Sequence, residues 1–241
     1  MNVKMLALVG VAGLGAGACV DTGADSGMRI LGNVAPGDGC VVDGASTTFQ
    51  DDGVIEPTSG FGYVFTPAVV NELQIVGDES TGPKTIYITH ARVDIAFYDP
   101  AFEGVGADAS LLHFRVPVAG VIEPGGGKSG FSFEIVPPEL LWAIDDQLPA
   151  RGVNDPPQRT TLDVRIQMVG TRGGGETESN VFRYPVDVCD GCVYVDQGAC
   201  KDVEPDFQAR TGGACNVLQD GVLDCCDNRL VCPARFIAPL P

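Results

Sequence analysis

Histidine is scarce in this chain, with only His90 and His113 among 241 residues. Zinc-dependent catalysis usually requires several histidines, and the motif His-Glu-x-x-His is absent. The Gly-x-Ser-x-Gly turn that carries the nucleophile of many hydrolases is absent as well. Both histidines fall on predicted strands and are expected to face solvent. The sequence therefore predicts no catalytic residue, no metal site and no cofactor.

Basic residues are also few. Lys and Arg number 15 against 32 Asp and Glu, which gives a formal net charge of −17. Nucleic acids and anionic lipid surfaces are usually bound through a basic patch, and the sequence contains none. Nucleic acid is therefore excluded as an expected partner, and the acidity is attributed to solubility.

The amino terminus lacks an apolar run long enough to span a membrane. Lys4 precedes a run from Met5 to Ala18 that contains no charged residue. A membrane-spanning helix needs about 20 apolar residues, and this run is shorter. A positive start, a short apolar stretch and small residues before a cleavage site are typical of a signal peptide. We therefore predict that residues 1–18 are a signal peptide for export.

The predicted signal peptide ends in Ala16-Gly17-Ala18 and is followed by Cys19. The four residues together resemble the lipobox of bacterial lipoproteins. In that family a peptidase cuts before a cysteine whose thiol has received a diacylglycerol. The family prefers Leu three positions before the cysteine, where this chain has Ala16. An ordinary secretory cleavage rule fits the same bond. The resemblance implies a lipid on Cys19 and an outer-membrane or cell-surface location. The alternative is a soluble periplasmic or secreted protein.

The cysteine count supports lipidation of Cys19. The chain has 9 cysteines, and thiols in an oxidising compartment tend to pair. If Cys19 carries lipid, an even set remains and can pair completely. The expected disulfide cysteines are Cys40, Cys189, Cys192, Cys200, Cys215, Cys225, Cys226 and Cys232.

The positions of these cysteines restrict their pairing. All of them except Cys40 lie at or after Cys189, so their number in that segment is odd and one must bond elsewhere. We expect Cys40 to bond one cysteine of this segment. Adjacent cysteines rarely bond each other because the required dihedral strains the peptide between them. Cys225 and Cys226 are therefore expected to have different partners.

Residues 19–39 are rich in glycine and are predicted to be a flexible tether. The weakly apolar residues 28–31 could instead form an edge strand. Residues 40–188 are predicted to be a β-sandwich of immunoglobulin-like or fibronectin-like plan, because several runs alternate between apolar and polar residues. The clearest apolar sets are Leu112, Phe114, Val116 and Val118; Leu162, Val164, Ile166 and Met168; and Phe182, Tyr184, Val186 and Val188.

Two segments depart from simple alternation. The run 85–97 changes phase, which indicates either a β-bulge or a strand buried on both faces. Residues 138–146 are the only stretch that indicates a helix, since Pro138 and Glu139 suit a first helical turn. We predict an all-β fold with one short helix.

Residues 189–241 are predicted to form a disulfide-rich cap. Such a short segment buries little apolar surface and depends on its bridges. Cys189-Asp-Gly-Cys192 has the spacing of a thiol–disulfide redox pair or of half a zinc site. A redox pair usually opens a helix in an α/β fold, and a zinc site needs a second spaced pair, so structural disulfides are favoured.

The run from Cys215 to Asp227 resembles the tails of outer-membrane or secreted lipoproteins of predatory soil bacteria of the myxobacterial type. The resemblance covers this tail in detail and the rest of the chain only in its layout. It implies an exported lipoprotein and no particular activity.

These observations predict a non-enzymatic envelope lipoprotein that binds another protein or supports an assembly. A module that binds carbohydrate or cell-wall polymer is the first alternative, and an aligned row of exposed aromatic residues would favour it. A hydrolase with an unrecognised site is the second. A pocket holding His90 or His113 beside a carboxylate and a serine would favour that one.

Overall fold

The computed structural model describes residues 27–77, 82–105, 108–149, 156–199 and 208–227. The predicted signal peptide, Cys19, Cys200 and Cys232 lie outside these ranges. Within them the strands are β1 (Met28–Asn33), β2 (Gly53–Ile55), β3 (Tyr63–Phe65), β4 (Pro67–Asn71), β5 (Ile86–Phe97), β6 (His113–Ile122), β7 (Gly127–Gly130), β8 (Phe133–Val136), β9 (Gln158–Arg172), β10 (Gly175–Glu178), β11 (Phe182–Asp190), β12 (Tyr194–Ala199) and β13 (Leu223–Asp227).

One α-helix, α1 (Pro138–Asp145), and four single 3₁₀ turns complete the described part of the chain. The turns are Asp38–Cys40, Gly82–Lys84, Pro100–Phe102 and Ala109–Leu111. The predicted helix over 138–146 is confirmed. Leu140, Leu141 and Ile144 are buried in the core, while Trp142 points to solvent.

The main sheet has the strand order β2-β11-β9-β5-β6, and β10 extends it beside β9. Its pairs are antiparallel except β2 with β11, which is parallel. A three-stranded sheet, β1-β4-β7, and the pair β3-β8 provide further strands whose buried residues join the same core. The predicted all-β sandwich is confirmed.

Alternation of apolar residues explains which face of the main sheet is buried. In β9 the side chains of Leu162, Val164, Ile166 and Met168 are fully buried, as the sequence predicted. Because successive strand residues point to opposite faces, the polar residues between them point outward. Burying side chains of this size contributes about 1.5–3 kcal/mol each.

The phase change in β5 is a β-bulge. Against β9 the pairing passes from Ile88–Gly170 to His90–Val169, so Thr89 is the extra residue of β5. Against β6 the register shifts at the same place, and there the extra residue lies in β6. A bulged residue reverses the alternation that follows it. Ile86 and Ile88 before the bulge, and Ala91 after it, therefore all reach the core. The bulge interpretation of run 85–97 is confirmed.

The edges of the main sheet are the strands β2 and β6. Pro117 lies within β6, where it lacks the N–H that a further strand would need. At the other edge, Ile55 of β2 forms an antiparallel bridge with Gln219. Both edges are therefore closed to simple strand addition, one by proline and one by the carboxyl-terminal segment.

The predicted tether over residues 19–39 is wrong for residues 28–33. These residues form β1, which pairs with β4 at the edge of the three-stranded sheet. Met28 and Ile30 are buried in the core, and this apolar burial outweighs the glycine-rich composition around them. The edge strand considered for residues 28–31 is the observed arrangement.

The cap begins after β11, which runs through Cys189 and Asp190. Strands β12 and β13 pair in parallel, and Val193, Tyr194, Leu218, Leu223 and Cys225 form a small separate core. Cys40 bonds Cys215, in agreement with the expected bond between Cys40 and the cap. Cys189 bonds Cys192. Cys225 and Cys226 each take part in a disulfide bond as well.

We expect the double variant Cys40→Ala/Cys215→Ala to lower the free energy of unfolding by roughly 2–5 kcal/mol. This bond joins residues 175 positions apart, so it removes much entropy from the unfolded chain. The control is Cys189→Ala/Cys192→Ala, whose cysteines are separated by only 3 positions. Urea unfolding should show the larger loss for the first variant, and equal losses would contradict the expectation.

Candidate functional site

The outward side of the main sheet carries many polar and charged side chains. We call it the outer face and define it as the outward side chains of β5, β6, β9 and β11, together with β10. Five arginines lie on it: Arg92, Arg115, Arg159, Arg165 and Arg183. The chain has only 15 basic residues, so this is a local concentration.

Strand register places several of these side chains in one row across the sheet. Arg183 lies opposite Arg165, Arg165 lies opposite Asp94, and Asp94 lies opposite His113. Like charges directly opposite each other destabilise a sheet. The Arg183–Arg165 pair therefore needs an anion between them, and Asp163 supplies it.

Asp163 is buried beneath the two arginines and accepts hydrogen bonds from both. Arg183 donates through Nε at 3.0 Å and through Nη2 at 2.8 Å, and Arg165 donates through Nε at 3.2 Å. Burial alone would raise the pKa of Asp163, but these guanidinium groups hold it below its usual value. The carboxylate therefore stays charged and fixes both arginines in place.

The other three arginines have different surroundings. Arg159 Nη1 lies 3.7 Å from Asp187 Oδ2 on β11. Arg92 donates to Glu178 and to Glu176 on β10, the latter at 3.3 Å. Arg115 is exposed and makes no ion pair with any residue that the structure describes. Its charge is therefore available to a group from outside the chain.

The two histidines also lie on the outer face. His113 is exposed, as expected, and its Nδ1 lies 2.7 Å from Asp94 Oδ1. His90 is half-buried rather than fully exposed, and the Oγ1 of the preceding Thr89 lies 3.0 Å from its Nδ1. Burial, with Arg115 and Arg92 nearby, lowers the pKa of His90. Neither ring contacts a serine hydroxyl within the described ranges.

Among the described residues, the exposed aromatic side chains do not form an aligned row. Tyr87 begins the outward part of β5 and Tyr98 follows its end. The ten residues between them place the two rings about 35 Å apart, too far for neighbouring sugar rings. Trp142 is on α1 and Phe61 is in the loop before β3, so neither lies on the outer face. This geometry gives no support to the carbohydrate-binding alternative.

The cap meets the sandwich through residues 216–220, which we call the junction segment. On one side, Glu56 donates its N–H to Leu218 O at 3.0 Å, and Asp220 donates its N–H to Val54 O at 2.9 Å. On the other side, the Gln219 amide accepts from Val64 N at 2.8 Å and donates to Val64 O at 2.7 Å. The segment therefore bridges β3 and the β2 edge.

A buried polar network joins the junction segment to the core. Tyr63 donates its hydroxyl proton to Asp220 Oδ2 at 2.6 Å and lies 3.0 Å from the Tyr184 hydroxyl oxygen. Asn33 donates to that Tyr184 oxygen at 2.8 Å, and Tyr184 donates to Asp52 O at 2.5 Å. Burial raises the pKa of both tyrosines, so they remain neutral donors.

An open acidic pocket of about 260 Å³ lies over this network. Its lining residues are Gln50, Asp52, Gly53, Val54, Asp187 and Asp220. A Cβ on Gly53 would lie 2.2 Å from the Tyr63 hydroxyl, so glycine is required for β2 to approach the network. Asp187 accepts from Thr161 and Asp220 from Tyr63, which means that these two carboxylates already have donors within the protein.

Glu56 is a fully buried carboxyl group just after β2. Its Oε2 accepts from Gly191 N at 2.9 Å, and its Oε1 accepts from Thr58 Oγ1 at 3.2 Å. Burial is the main cause that raises the pKa of Glu56 to about 7, with the charges of Asp190 and Asp145 adding to it. Sequence reasoning missed this residue because an isolated glutamate before proline has no pattern that indicates burial.

The cysteines do not form a metal site among the described residues. The residues considered as a zinc half-site, Cys189 and Cys192, bond each other. Within the described ranges no group of three or more His, Cys, Asp or Glu side chains could hold a metal ion. No helix in the same ranges has the length and apolar character needed to cross a bilayer.

We expect Glu56→Gln to remove a pH-dependent loss of stability. The folded-state pKa of about 7 exceeds the ordinary 4.5, so the folded protein holds an extra proton between these values. Stability from this group is full below pH 4.5 and is lost as pH rises through 7, by roughly 3 kcal/mol. Urea unfolding at pH 5 and pH 8 measures the difference.

The matched control is Glu139→Gln, because Glu139 is exposed on α1. Wild type and the control should lose stability between pH 5 and pH 8, whereas Glu56→Gln should lose about 3 kcal/mol less. The same pH dependence in all three proteins would contradict the burial argument.

No family model matches the chain, and a search of curated proteins finds no match either. The function must therefore be inferred from the residues themselves. Three features are available for that inference: the outer face, the acidic pocket over the junction, and Glu56 beside the Cys189–Cys192 loop.

Proposed function

We propose that the protein is a non-enzymatic, membrane-anchored module of the cell envelope that binds another protein through its outer face. The observation that carries the proposal is the composition of this face. Arginine and tyrosine are enriched in protein interfaces and dominate their binding energy. Here Arg92, Arg115, Arg165 and Arg183 share one face with Tyr87 and Tyr98.

Charge distribution supports a protein partner over a polyanion. Near the five arginines lie five carboxylates, Asp94, Asp163, Glu176, Glu178 and Asp187, so this face is close to neutral. The chain as a whole carries −17, so other surfaces repel acidic proteins while this face does not. Arg115 has no ion pair among the described residues, and a partner carboxylate would complete it. The proposed partner therefore presents a carboxylate that reaches Arg115 on the edge strand β6.

The size of the outer face is adequate for a specific complex. Four strands spaced about 4.8 Å apart and about 12 residues long on average cover about 750 Å². A stable protein complex buries about 800 Å² on each partner. Asp163 holds Arg165 and Arg183 in fixed positions, which reduces the side-chain entropy lost on binding.

The compartment in this proposal rests on the disulfides and on the amino-terminal sequence. The Cys40–Cys215 and Cys189–Cys192 bonds fit an exported protein. In the proposal, Cys19 carries the lipid and β1 begins at Met28. Nine residues of chain span at most about 30 Å. The sandwich would therefore stay near the membrane surface, and so would its partner.

We expect Arg115→Glu to reduce partner binding at least tenfold. The variant reverses a charge that is exposed and breaks no described ion pair, so folding should be unaffected. The matched control is Lys128→Glu, an equal charge change on β7 outside the outer face. Quantitative mass spectrometry after affinity recovery from native membranes should show proteins lost with Arg115→Glu and retained with Lys128→Glu. Equal recovery with both variants would refute the role of this face.

Intact mass after detergent extraction tests the proposed anchor separately. The mature chain should begin at Cys19 and carry the added mass of a diacylglycerol. Cys19→Ala should move the protein from the membrane fraction to the soluble fraction. A mature chain that starts at an unmodified Cys19 would contradict lipidation and leave the protein-binding proposal intact.

A further inference from the structure

We propose that the Cys189–Cys192 disulfide is a reversible thiol-exchange site, that small dithiols or protein dithiols reduce it, and that Glu56 supplies the proton to the departing sulfur. This function is independent of binding at the outer face. It rests on the difference in solvent exposure between Cys189 and Cys192 and on the position of the Glu56 carboxyl group.

The two sulfurs differ in their access to solvent. Cys189 lies at the end of β11 and is fully buried, whereas Cys192 is partly exposed. A thiolate attacks the sulfur that it can reach, and the other sulfur departs. The attack is therefore directed to Cys192, and Cys189 becomes the leaving group. A thiolate in a buried position is unfavourable unless it is protonated or paired.

The Glu56 carboxyl group is held against the loop that the disulfide closes. Its Oε2 accepts from the N–H of Gly191, which lies inside the short loop closed by the disulfide. The charged groups facing Glu56 are Asp190 on β11 and Asp145 on α1, and both disfavour its ionised form. Together with burial they raise the pKa of Glu56 to about 7, so a proton is available near neutral pH.

The exchange proceeds in two steps. In the first, a thiolate of the dithiol bonds Cys192 Sγ, the Cys189–Cys192 bond breaks, and its electron pair stays on Cys189 Sγ. The Glu56 carboxyl donates its proton to this sulfur and becomes a carboxylate that keeps the Gly191 hydrogen bond. The second thiol of the dithiol then attacks the mixed disulfide at the dithiol's own sulfur. Cys192 leaves and is protonated by solvent, the protein gains two electrons, and the dithiol becomes a disulfide.

The Cys40–Cys215 disulfide lacks this arrangement. Its cysteines are 175 positions apart and join the sandwich to the cap, so they close no short loop against which a carboxyl group could be held. Reduction of the Cys189–Cys192 pair should therefore precede reduction of the Cys40–Cys215 pair. This order distinguishes a specific exchange site from general reduction of an unfolding protein.

Timed reduction of the full mature chain with dithiothreitol tests the proposal. Free thiols are alkylated at each time point and located by peptide mass mapping from pH 6 to pH 8.5. Rates are divided by the thiolate concentration of the reagent at each pH. For wild type, the corrected rate at Cys189–Cys192 should fall as pH rises through about 7, because Glu56 loses its proton.

Glu56→Gln should slow the corrected rate at least tenfold at pH 6.5 and give a flat profile. The matched control is Glu134→Gln, since Glu134 is a half-buried carboxyl that accepts a backbone hydrogen bond from Gly62. It should behave as wild type. A flat wild-type profile, equal rates in Glu56→Gln, or reduction of Cys40–Cys215 first would each overturn the proposal. The wild-type profile decides the question even if Glu56→Gln folds poorly.

Discussion

The rest of the structure depends on the seating of the junction segment, residues 216–220, between β3 and the β2 edge. A sandwich left open there would expose the β2 edge, and Tyr63 would lose its acceptor Asp220 inside the core. The Gln219 side-chain amide forms two hydrogen bonds with the Val64 backbone, as a residue of a neighbouring strand would. The Cys40–Cys215 bond also favours this arrangement, because it lowers the conformational entropy of the unfolded chain.

In this acidic chain, the number and charge of the hydrogen-bond donors around a buried carboxyl group decide the direction of its pKa shift. Asp224 accepts from the Arg210 side chain and backbone and from Gln197, and these donors, led by the Arg210 hydrogen bond, hold its pKa well below the usual value. Asp163 has two arginines. Glu56 has only a backbone N–H and a threonine hydroxyl, so burial decides its pKa. The same physical balance produces two fixed charges and one group that exchanges its proton near neutral pH.

Much of the sandwich could be predicted from local pattern. Leu162 to Met168 alternate because one face of β9 is buried, and the phase change near Thr89 indicated the bulge. The bond between Cys40 and the cap followed from an odd count of cysteines. Residues 28–33 were misjudged because glycine-rich composition hid an edge strand whose partner, β4, is about 40 residues away.

The candidate sites could not be predicted from local sequence pattern, because they bring together residues that are far apart in the chain. Asp220 looked like a turn residue in sequence, and its contact with Tyr63 joins positions 157 residues apart. The row from Arg183 to His113 exists only after three registers are fixed. The closed edges of the main sheet have a consequence for molecules held at high density on a surface. Pro117 on one edge and Gln219 on the other leave the main sheet without a free edge for a neighbouring copy to extend, which disfavours growth of that sheet between crowded molecules.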